Sequence, residues 1–262
     1  MSFDGIAPIN SCVKQLPALG KPVFIADLHL SNDKQATKEA FFQFLRRDAI
    51  KFNELIILGD LFEFWAGDDH IDAFPDIINA LKNYRLLGKS LYAMHGNRDF
   101  LLGKVFEKQT GAILISDPVV TYAGHERILL SHGDEWCTLD KDYQQFRSTL
   151  RNPDVQVSIL QEKLKHRIDL ANSLRDQSKD ENTHKSYELM DVVVHDVARA
   201  ARQANVATVI HGHTHKPAHH THVNDDFRFD RWVLPDWDFE NDKTRGGYLS
   251  YEGGFLHFER LS

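Results

Sequence analysis

Side chains that can bind metal ions recur in five short segments of the 262-residue chain. Each segment offers a carboxylate, an amide or an imidazole. The seven donors, in chain order, are Asp27, His29, Asp60, Asn97, His132, His213 and His215. A single Asp after Gly is often a turn former, and a single His is often a hydrogen-bonded structural residue. Seven such donors in sequence are hard to explain in that way, so we expect a metal site.

The donor types indicate the chemistry. Asp60 has two oxygens and can therefore serve two cations about 3.5–4 Å apart, the separation found in two-metal phosphoryl-transfer sites. Oxygen and imidazole donors without a thiolate suit Mn²⁺, Fe²⁺ or Zn²⁺ better than a structural zinc site. Arg98, directly after Asn97, can bind phosphate oxygens with two parallel hydrogen bonds. The segments together predict metal-assisted cleavage of a phosphoester.

Short apolar runs precede the donors and predict buried strands that position them. The runs are Pro22–Ala26, Glu54–Leu58, Ser90–Met94, Arg127–Ser131 and Val206–Ile210, with further strand candidates at Val119–Tyr122, Trp232–Leu234, Tyr248–Tyr251 and Phe255–Phe258. Thr37–Arg47 and Phe74–Leu87 have helical spacing, and Gly88 fits a helix C-cap. The alternation predicts an α/β core with the donors at the carboxyl ends of strands, where α/β sheets hold ligands. The last three candidates predict meander or sandwich strands.

Residues 152–205 interrupt this alternation, because their apolar residues follow helical spacing almost throughout. We interpret them as a helical insertion, a substrate lid, within a single domain that spans residues 1–262. The alternative is that these apolar stripes pack on the core.

Composition restricts the class of protein. The chain has 31 basic and 38 acidic residues and a net charge of -7, which lacks the basic footprint of a nucleic-acid binder. Its two cysteines, Cys12 and Cys137, are too few for a disulfide framework, and we expect idle thiols. No apolar run approaches the roughly 20 residues that span a bilayer, and residues 1–21 lack a signal-peptide pattern. We therefore expect a cytoplasmic protein.

The ordered segments resemble the signature of the calcineurin-like metallophosphoesterases over about residues 22–217. The matching motifs are Asp27-x-His29, Gly59-Asp60, Gly96-Asn97-Arg98-Asp99, His132 and Gly212-His213-x-His215. The resemblance implies a four-layer fold, a β-sandwich core flanked by helices. It also implies that Asp27, His29, Asp60 and His215 bind one metal, that Asp60, Asn97, His132 and His213 bind the other, and that a metal-activated water attacks phosphorus. Under this resemblance His211, His219, His220 and His222 are not ligands.

Arg98 departs from many members of this family, which carry His after the Asn to protonate a leaving alkoxide. Arginine cannot deliver a proton near neutral pH. A phosphate monoester, whose second pKa is about 6, can leave as an anion. Arg98 therefore favours pyrophosphate cleavage, in which we expect Asp60 and Arg98 to be catalytic. The alternative is a structural ion pair.

The chain also resembles one branch of that family, the UDP-2,3-diacylglucosamine hydrolases of lipid A biosynthesis. The matching stretches are residues 58–69, residues 96–100, and the run from His132-Gly133-Asp134 through Asp140 to Arg147. The resemblance implies substrate contacts from Asn97, Arg98, Asp140, Ser178, Asn182, Lys185 and His213. For Asp140, Ser178, Asn182 and Lys185 the alternative is an ordinary solvated surface.

This branch implies hydrolysis of UDP-2,3-diacylglucosamine to UMP and 2,3-diacylglucosamine 1-phosphate with two Mn²⁺ ions. It implies a monomer, peripheral on the cytoplasmic face of the bacterial inner membrane, with no nucleic-acid partner. Two alternatives remain: a generic metallophosphoesterase that acts on nucleotides, phosphoproteins or nucleic acid, and a non-catalytic protein that binds lipid or nucleotide.

Overall fold

The protein folds into two β-sheets that lie face to face, with helices on the outer face of each sheet. The structure is a computed structural model and describes residues 16–184, 189, 191–224 and 227–261. The predicted sandwich flanked by helices is confirmed.

The first sheet has six strands. They are β1 (Pro22–Ile25), β2 (Glu54–Leu58), β3 (Ser90–Met94), β4 (Ile113–Ile115), β10 (Gly247–Glu252) and β11 (Phe255–Arg260), in the order β11-β10-β1-β2-β3-β4. The helices α1 (Gln35–Arg47), α2 (Pro75–Leu86) and α3 (Lys104–Thr110) return the chain between β1, β2, β3 and β4, which therefore run parallel. The carboxyl ends of β1, β2 and β3 consequently meet at one edge of the sheet.

The second sheet has five strands. They are β5 (Val119–Ala123), β6 (Glu126–Ser131), β7 (Thr208–His211), β8 (Ala218–Asn224) and β9 (Phe227–Val233), in the order β5-β6-β7-β9-β8. Strands β6, β7 and β9 run parallel, and β5 and β8 pair antiparallel at the two edges. The helices α4 (Lys141–Leu150), α5 (Pro153–Gln161), α6 (Leu164–His184) and α7 (Val194–Ala204) connect β6 to β7.

Alternation along the strands produces the layers. Val23 and Ile25 pack under α1 and α2, whereas Phe24 between them packs against the second sheet. On the second sheet, Leu129 faces outward and packs against Val197 of α7. The order of layers is thus helices, sheet, sheet, helix.

Helix α1 shows why the outer layers hold. Its Phe41, Phe44 and Leu45 follow i, i+3, i+4 spacing and are buried against the first sheet. Burying each such side chain stabilises the fold by roughly 1.5–3 kcal/mol.

The helical stretch begins at Lys141, before residue 152. Helix α4 has no buried side chain, while α7 contributes Val197, Ala198 and Ala201 to the core. Within the described residues, α4 and α6 place no apolar side chain in the core clusters, whereas α5 packs Ile159 and Leu160 against the first core. The role of residues 152–205 as a substrate lid remains a proposal.

Four elements were not predicted: α3, β4, α4 and β8. Of the predicted tail strands, β9 joins the second sheet while β10 and β11 join the first, so the tail is divided between the two halves of the sandwich. Among the described residues, no helix is both long enough and apolar enough to cross a membrane.

Candidate metal centre

All seven predicted ligands lie at the carboxyl ends of strands and converge at one edge of the sandwich. Asp27 and His29 follow β1, Asp60 follows β2 and Asn97 follows β3; His132 follows β6, and His213 and His215 follow β7. The parallel strands of the two sheets therefore bring the five sequence segments together.

The backbone at this edge is unusual. Within the described chain, six non-glycine residues have a positive φ, and five of them are predicted ligands: Asp27, His29, Asp60, His213 and His215. Left-handed backbone is uncommon for such residues and clusters at functional sites, because the surrounding fold must hold it against a local cost. The strain identifies these turns as places where side-chain direction matters.

One donor set forms around Asp27. His29 Nε2 lies 3.3 Å from His215 Nε2, and His215 Nε2 lies 3.5 Å from Asp27 Oδ1. Asp60 Oδ2 lies 3.9 Å from His29 Nε2. Suitable atoms of Asp27, His29 and His215 all lie within 4.8 Å of one another, close enough to share one cation.

A second donor set forms around Asn97. Its Oδ1 lies 3.0 Å from both His132 Nε2 and His213 Nδ1. Asp60 Oδ2 lies 3.8 Å from His132 Nε2. The same Asp60 oxygen therefore borders both donor sets, as a bridging ligand must.

The other polar atoms of these side chains are held by the protein. Asp27 Oδ2 accepts a hydrogen bond from the backbone N–H of His213 at 2.8 Å, and Asp60 Oδ1 accepts one from the backbone N–H of Arg98 at 2.8 Å. His132 Nδ1 donates to the Leu58 carbonyl at 2.9 Å, which leaves Nε2 for a metal. These contacts fix the direction of each remaining donor atom.

Asp27 Oδ1 tests whether the site fits a cation. This atom is fully buried and makes no short hydrogen bond within the described residues; its near polar contact is His215 Nε2 at 3.5 Å. A buried carboxylate oxygen that is poorly satisfied is costly. A divalent cation at this position would satisfy it, so the residues fit the metal that the donor set predicts.

Electrostatics support the same assignment. Burial is the main reason that the pKa of Asp60 is raised to about 7. Burial alone would lower the pKa of His132, but the negative charges of Asp60 and Asp27 raise it to about 9. Bound cations would compete with protons for both groups.

Two glycines allow this close packing. A Cβ at Gly96 would lie 2.0 Å from Asp60 Oδ1, and a Cβ at Gly212 would lie 2.4 Å from Asp27 Oδ2. The buried Asp99 carboxylate accepts hydrogen bonds from the N–H groups of Gly96 and Leu61, both at 2.8 Å, and so ties the second segment to the third.

A cleft of about 480 Å³ opens over the centre. Of the predicted substrate contacts, Asn97, Arg98, Asp140 and His213 line it. Asp140 also caps α4 by accepting a hydrogen bond from the Tyr143 N–H. Lys185 lies outside the described residues, as do the side chains of Ser178 and Asn182.

The cleft includes residues that sequence reasoning did not single out as contacts. Tyr143 and Arg147 line it, and both donate to the buried Asp134 carboxylate, at 3.0 and 2.8 Å respectively. The Tyr143 ring also stacks on His213 with centroids 5.9 Å apart. Arg151 and Arg175 complete this polar side. The spacing of four between Tyr143, Arg147 and Arg151 on one helix was the available signal.

The extra histidines lie apart from the two donor sets. His211 is buried, and its Nε2 accepts from Arg231 at 3.2 Å. The others lie on the edge strand β8, where His219 contacts Asp230 at 3.0 Å. Cys137 is a buried free thiol, and Cys12 lies outside the described residues.

The chain is similar to several known proteins. A family model described as calcineurin-like phosphoesterase matches residues 20–217. A UDP-2,3-diacylglucosamine hydrolase of Chromohalobacter salexigens is 43% identical over 216 residues, which cover 82% of this chain and 88% of that protein. A UDP-2,3-diacylglucosamine hydrolase of Bordetella parapertussis is 43% identical over 237 residues, which cover 88% of this chain and 92% of that protein. The solved structure of an archaeal phosphodiesterase aligns with a TM-score of 0.45 at 13% identity, covering 92% of this chain and 99% of that one.

Proposed function

The chain belongs to the calcineurin-like phosphoesterase family, and we propose that it hydrolyses the pyrophosphate bond of UDP-2,3-diacylglucosamine. The products are UMP and 2,3-diacylglucosamine 1-phosphate, an intermediate of lipid A biosynthesis. The relatives that align over most of their length carry the name of this activity.

The observation that carries the proposal is the position of Asp60 Oδ2 between two complete donor sets. We assign one cation to Asp27, His29, Asp60 and His215, and the other to Asp60, Asn97, His132 and His213. Two divalent cations held there would lower the pKa of a bound water and neutralise charge on the phosphoryl oxygens. The mixture of oxygen and imidazole donors suits Mn²⁺, Fe²⁺ or Zn²⁺, and of these we propose Mn²⁺.

Arg98 supports a pyrophosphate substrate. The Arg98 side chain lines the cleft. Its backbone N–H donates a hydrogen bond to the bridging carboxylate, which fixes the position of Arg98 relative to the metal centre. The guanidinium binds phosphoryl oxygens and stabilises the charge that develops on them. Water attacks the phosphorus of the uridylyl half, and the bond to the bridging oxygen breaks. The sugar phosphate leaves as an anion, so no protein acid is needed.

The remaining cleft suits the rest of this substrate. Phe100, Leu101, Phe146, Leu170 and Leu174 form an apolar side next to the polar metal edge. Two acyl chains require such an apolar surface beside the diphosphate site. We propose further substrate contacts from Asn97, Arg98, Asp140, Ser178, Asn182, Lys185 and His213.

The setting of the reaction follows from the substrate. A diacyl sugar nucleotide resides in a membrane, so we propose that the protein acts as a monomer on the cytoplasmic face of the bacterial inner membrane. Binding there would be peripheral.

The proposal is tested by measuring UMP release from UDP-2,3-diacylglucosamine by metal-free protein before and after addition of Mn²⁺. We expect release only with metal, loss of release in Asp60→Asn, and a strong decrease in Arg98→Ala. His219→Ala is the matched control for loss of a histidine outside the centre and should keep full activity.

A simple chromogenic phosphodiester separates the metal chemistry from the substrate assignment. Slow cleavage of the diester beside rapid UMP release supports both. Cleavage of the diester without cleavage of the UDP-lipid would leave the metal chemistry standing and contradict the proposed substrate.

A further inference from the structure

The segment 65–69 follows the loop of the bridging Asp60 and contacts α6 through one arginine. Arg167 is only 5% exposed. Its Nη1 donates to Asp69 Oδ1 at 2.9 Å and to the Ala66 carbonyl, its Nη2 donates to Asp69 Oδ2, and its Nε donates to the Glu162 carbonyl at 3.0 Å. A guanidinium bound in this two-pronged way is fixed in orientation as well as in position.

Gly67 leaves the space that this contact needs. Its φ is +118°, and a Cβ there would lie 2.4 Å from Arg167 Nη1 and 2.7 Å from Leu160 Cδ2. Only glycine adopts this backbone freely while letting the guanidinium pass so close.

The same segment is bound on its other side to the metal edge. The Asp68 carboxylate accepts hydrogen bonds from the N–H groups of Gly103 at 2.9 Å and Val105 at 2.7 Å. The backbone N–H of Trp65 donates to the Arg98 carbonyl at 3.1 Å, and the Trp65 ring is buried in the core. Segment 65–69 is therefore a rigid support whose position is fixed relative to Arg98.

Helix α6 forms the opposite wall of the cleft. Leu170, Leu174 and Arg175 follow Arg167 by one to two turns and line the cleft. Among the described side chains of α6, none of the apolar ones belongs to the three core clusters, and Leu170 is 47% exposed. The neighbouring α5 does reach the first core through Ile159 and Leu160. The placement of the α6 wall thus depends on a polar anchor.

We propose that Arg167, held by Asp69, is a positioning residue that sets the distance between the α6 wall and the metal centre. It thereby determines specificity for the lipid-bearing part of the substrate. Arg167 does not touch the reacting atoms. The inference rests on the proposed function for its kinetic part, and its structural part can be tested independently.

The test compares Arg167→Met, Arg167→Lys and Asp69→Asn with Lys165→Met, an exposed cation of the same helix that serves as the matched control. The readouts are kcat and KM for UDP-2,3-diacylglucosamine, Mn²⁺ affinity by calorimetry, and amide hydrogen exchange over residues 164–175. Since the α6 wall would contact the lipid-bearing part and not the reacting phosphorus, its displacement removes binding that is equal in the ground and transition states. We therefore expect Arg167→Met to raise KM roughly tenfold or more, with a smaller change in kcat. Exchange in α6 should rise, and Mn²⁺ affinity should stay unchanged.

The variants also distinguish an anchor from a general loss of stability. Arg167→Lys keeps the positive charge but loses the planar group that binds both Asp69 oxygens, so its KM should lie between those of the wild type and Arg167→Met. The double variant Arg167→Met with Asp69→Asn should have a KM no higher than that of Arg167→Met alone. If Arg167→Met does not fold, Arg167→Lys and Asp69→Asn carry the test. The proposal is overturned if KM and exchange match those of Lys165→Met, if exchange rises without a change in KM, or if Mn²⁺ affinity falls as KM rises. If the wild type does not act on the UDP-lipid, the proposed function fails, while the exchange data still report on the anchor.

Discussion

Asp60 divides its two carboxylate oxygens between two tasks. Oδ1 accepts the Arg98 N–H, whereas Oδ2 borders both donor sets. Asp27 divides its oxygens in the same way, between the His213 N–H and the metal side. The backbone therefore orients the ligands before any cation binds, which is a form of preorganisation.

Asp236 provides a further orienting contact of this kind, outside the matched family region. Its Oδ2 lies 3.8 Å from His215 Nδ1, and Arg245 binds the same carboxylate at 2.8 Å. We predict that Asp236→Asn lowers Mn²⁺ affinity about 10- to 100-fold, because outer carboxylates fix the ring orientation and basicity of a histidine ligand. Isothermal titration of metal-free protein measures this. Asp238→Asn is the control, since Asp238 also contacts Arg245 but no ligand, and an equal loss in both variants would contradict the prediction.

His95 makes stability depend on pH. Burial, followed by the charge of Arg151, lowers the pKa of His95 to about 4, and its Nε2 donates to the Leu102 carbonyl. In the unfolded chain His95 binds a proton near pH 6.5. The contribution of neutral His95 to folding stability is therefore fully present above pH 6.5 and is lost as the pH falls toward 4. By linkage the loss is on the order of 3 kcal/mol.

Urea unfolding at pH 7.5 and 4.5 tests this. His95→Gln retains a donor for Leu102 and should lose less stability between the two values than the wild type does. The exposed His257→Gln should behave like the wild type. An identical loss in all three proteins would show that His95 is not responsible.

For single residues, the sequence predicted which side chains are candidate ligands but not the backbone conformation that these residues adopt. The order and spacing of Asp27, Asp60 and His215 were sufficient to name them as candidate ligands. Their left-handed φ values were not visible, because Asp and His, although enriched in that conformation, adopt it at only a small minority of positions. Arg167 was equally invisible, since its role depends on a partner 98 residues away.

At the scale of elements, α3 depends on a cap from a distant loop. Asp68 accepts from the N–H groups of Gly103 and Val105 at the start of that helix. We predict that Asp68→Ala lowers the free energy of unfolding by about 1–2 kcal/mol, as the loss of a capping carboxylate does elsewhere. Urea unfolding measures the change. Asp72→Ala, an exposed neighbour, should be within about 0.5 kcal/mol of the wild type, and an equal loss there would argue against a capping role.

The strands that position the site were predicted because they are buried on both faces and appear as continuous apolar runs. Strands β4 and β8 were missed for opposite reasons. β4 has only three residues, and β8 lies at a sheet edge, where its histidines need not be buried. The division of the tail between two sheets is set by tertiary pairing, which local patterns do not encode.

At the scale of the whole molecule, the metal centre joins the two sheets. The proposed ligands follow β1, β2 and β3 in one sheet and β6 and β7 in the other, so bound cations should stabilise the sandwich as a unit. At 100 times its Kd, a ligand adds about 2.7 kcal/mol to stability. We predict that excess Mn²⁺ raises the Tm of metal-free protein by roughly 5–10 °C, following the usual relation for a chain of this size. Calorimetric scans with and without chelator measure this. An equal shift in Asp60→Asn would contradict binding at the bridge.

We propose that hydrolysis needs two cations bridged by Asp60. Titrating metal-free protein with Mn²⁺ while following UMP release from UDP-2,3-diacylglucosamine, at a protein concentration well above the Kd, tests this. We predict no release without metal and a rise that is complete at about two equivalents per chain, absent in Asp60→Asn. Release from metal-free protein, or saturation at one equivalent, would show that the two bridged cations are not required.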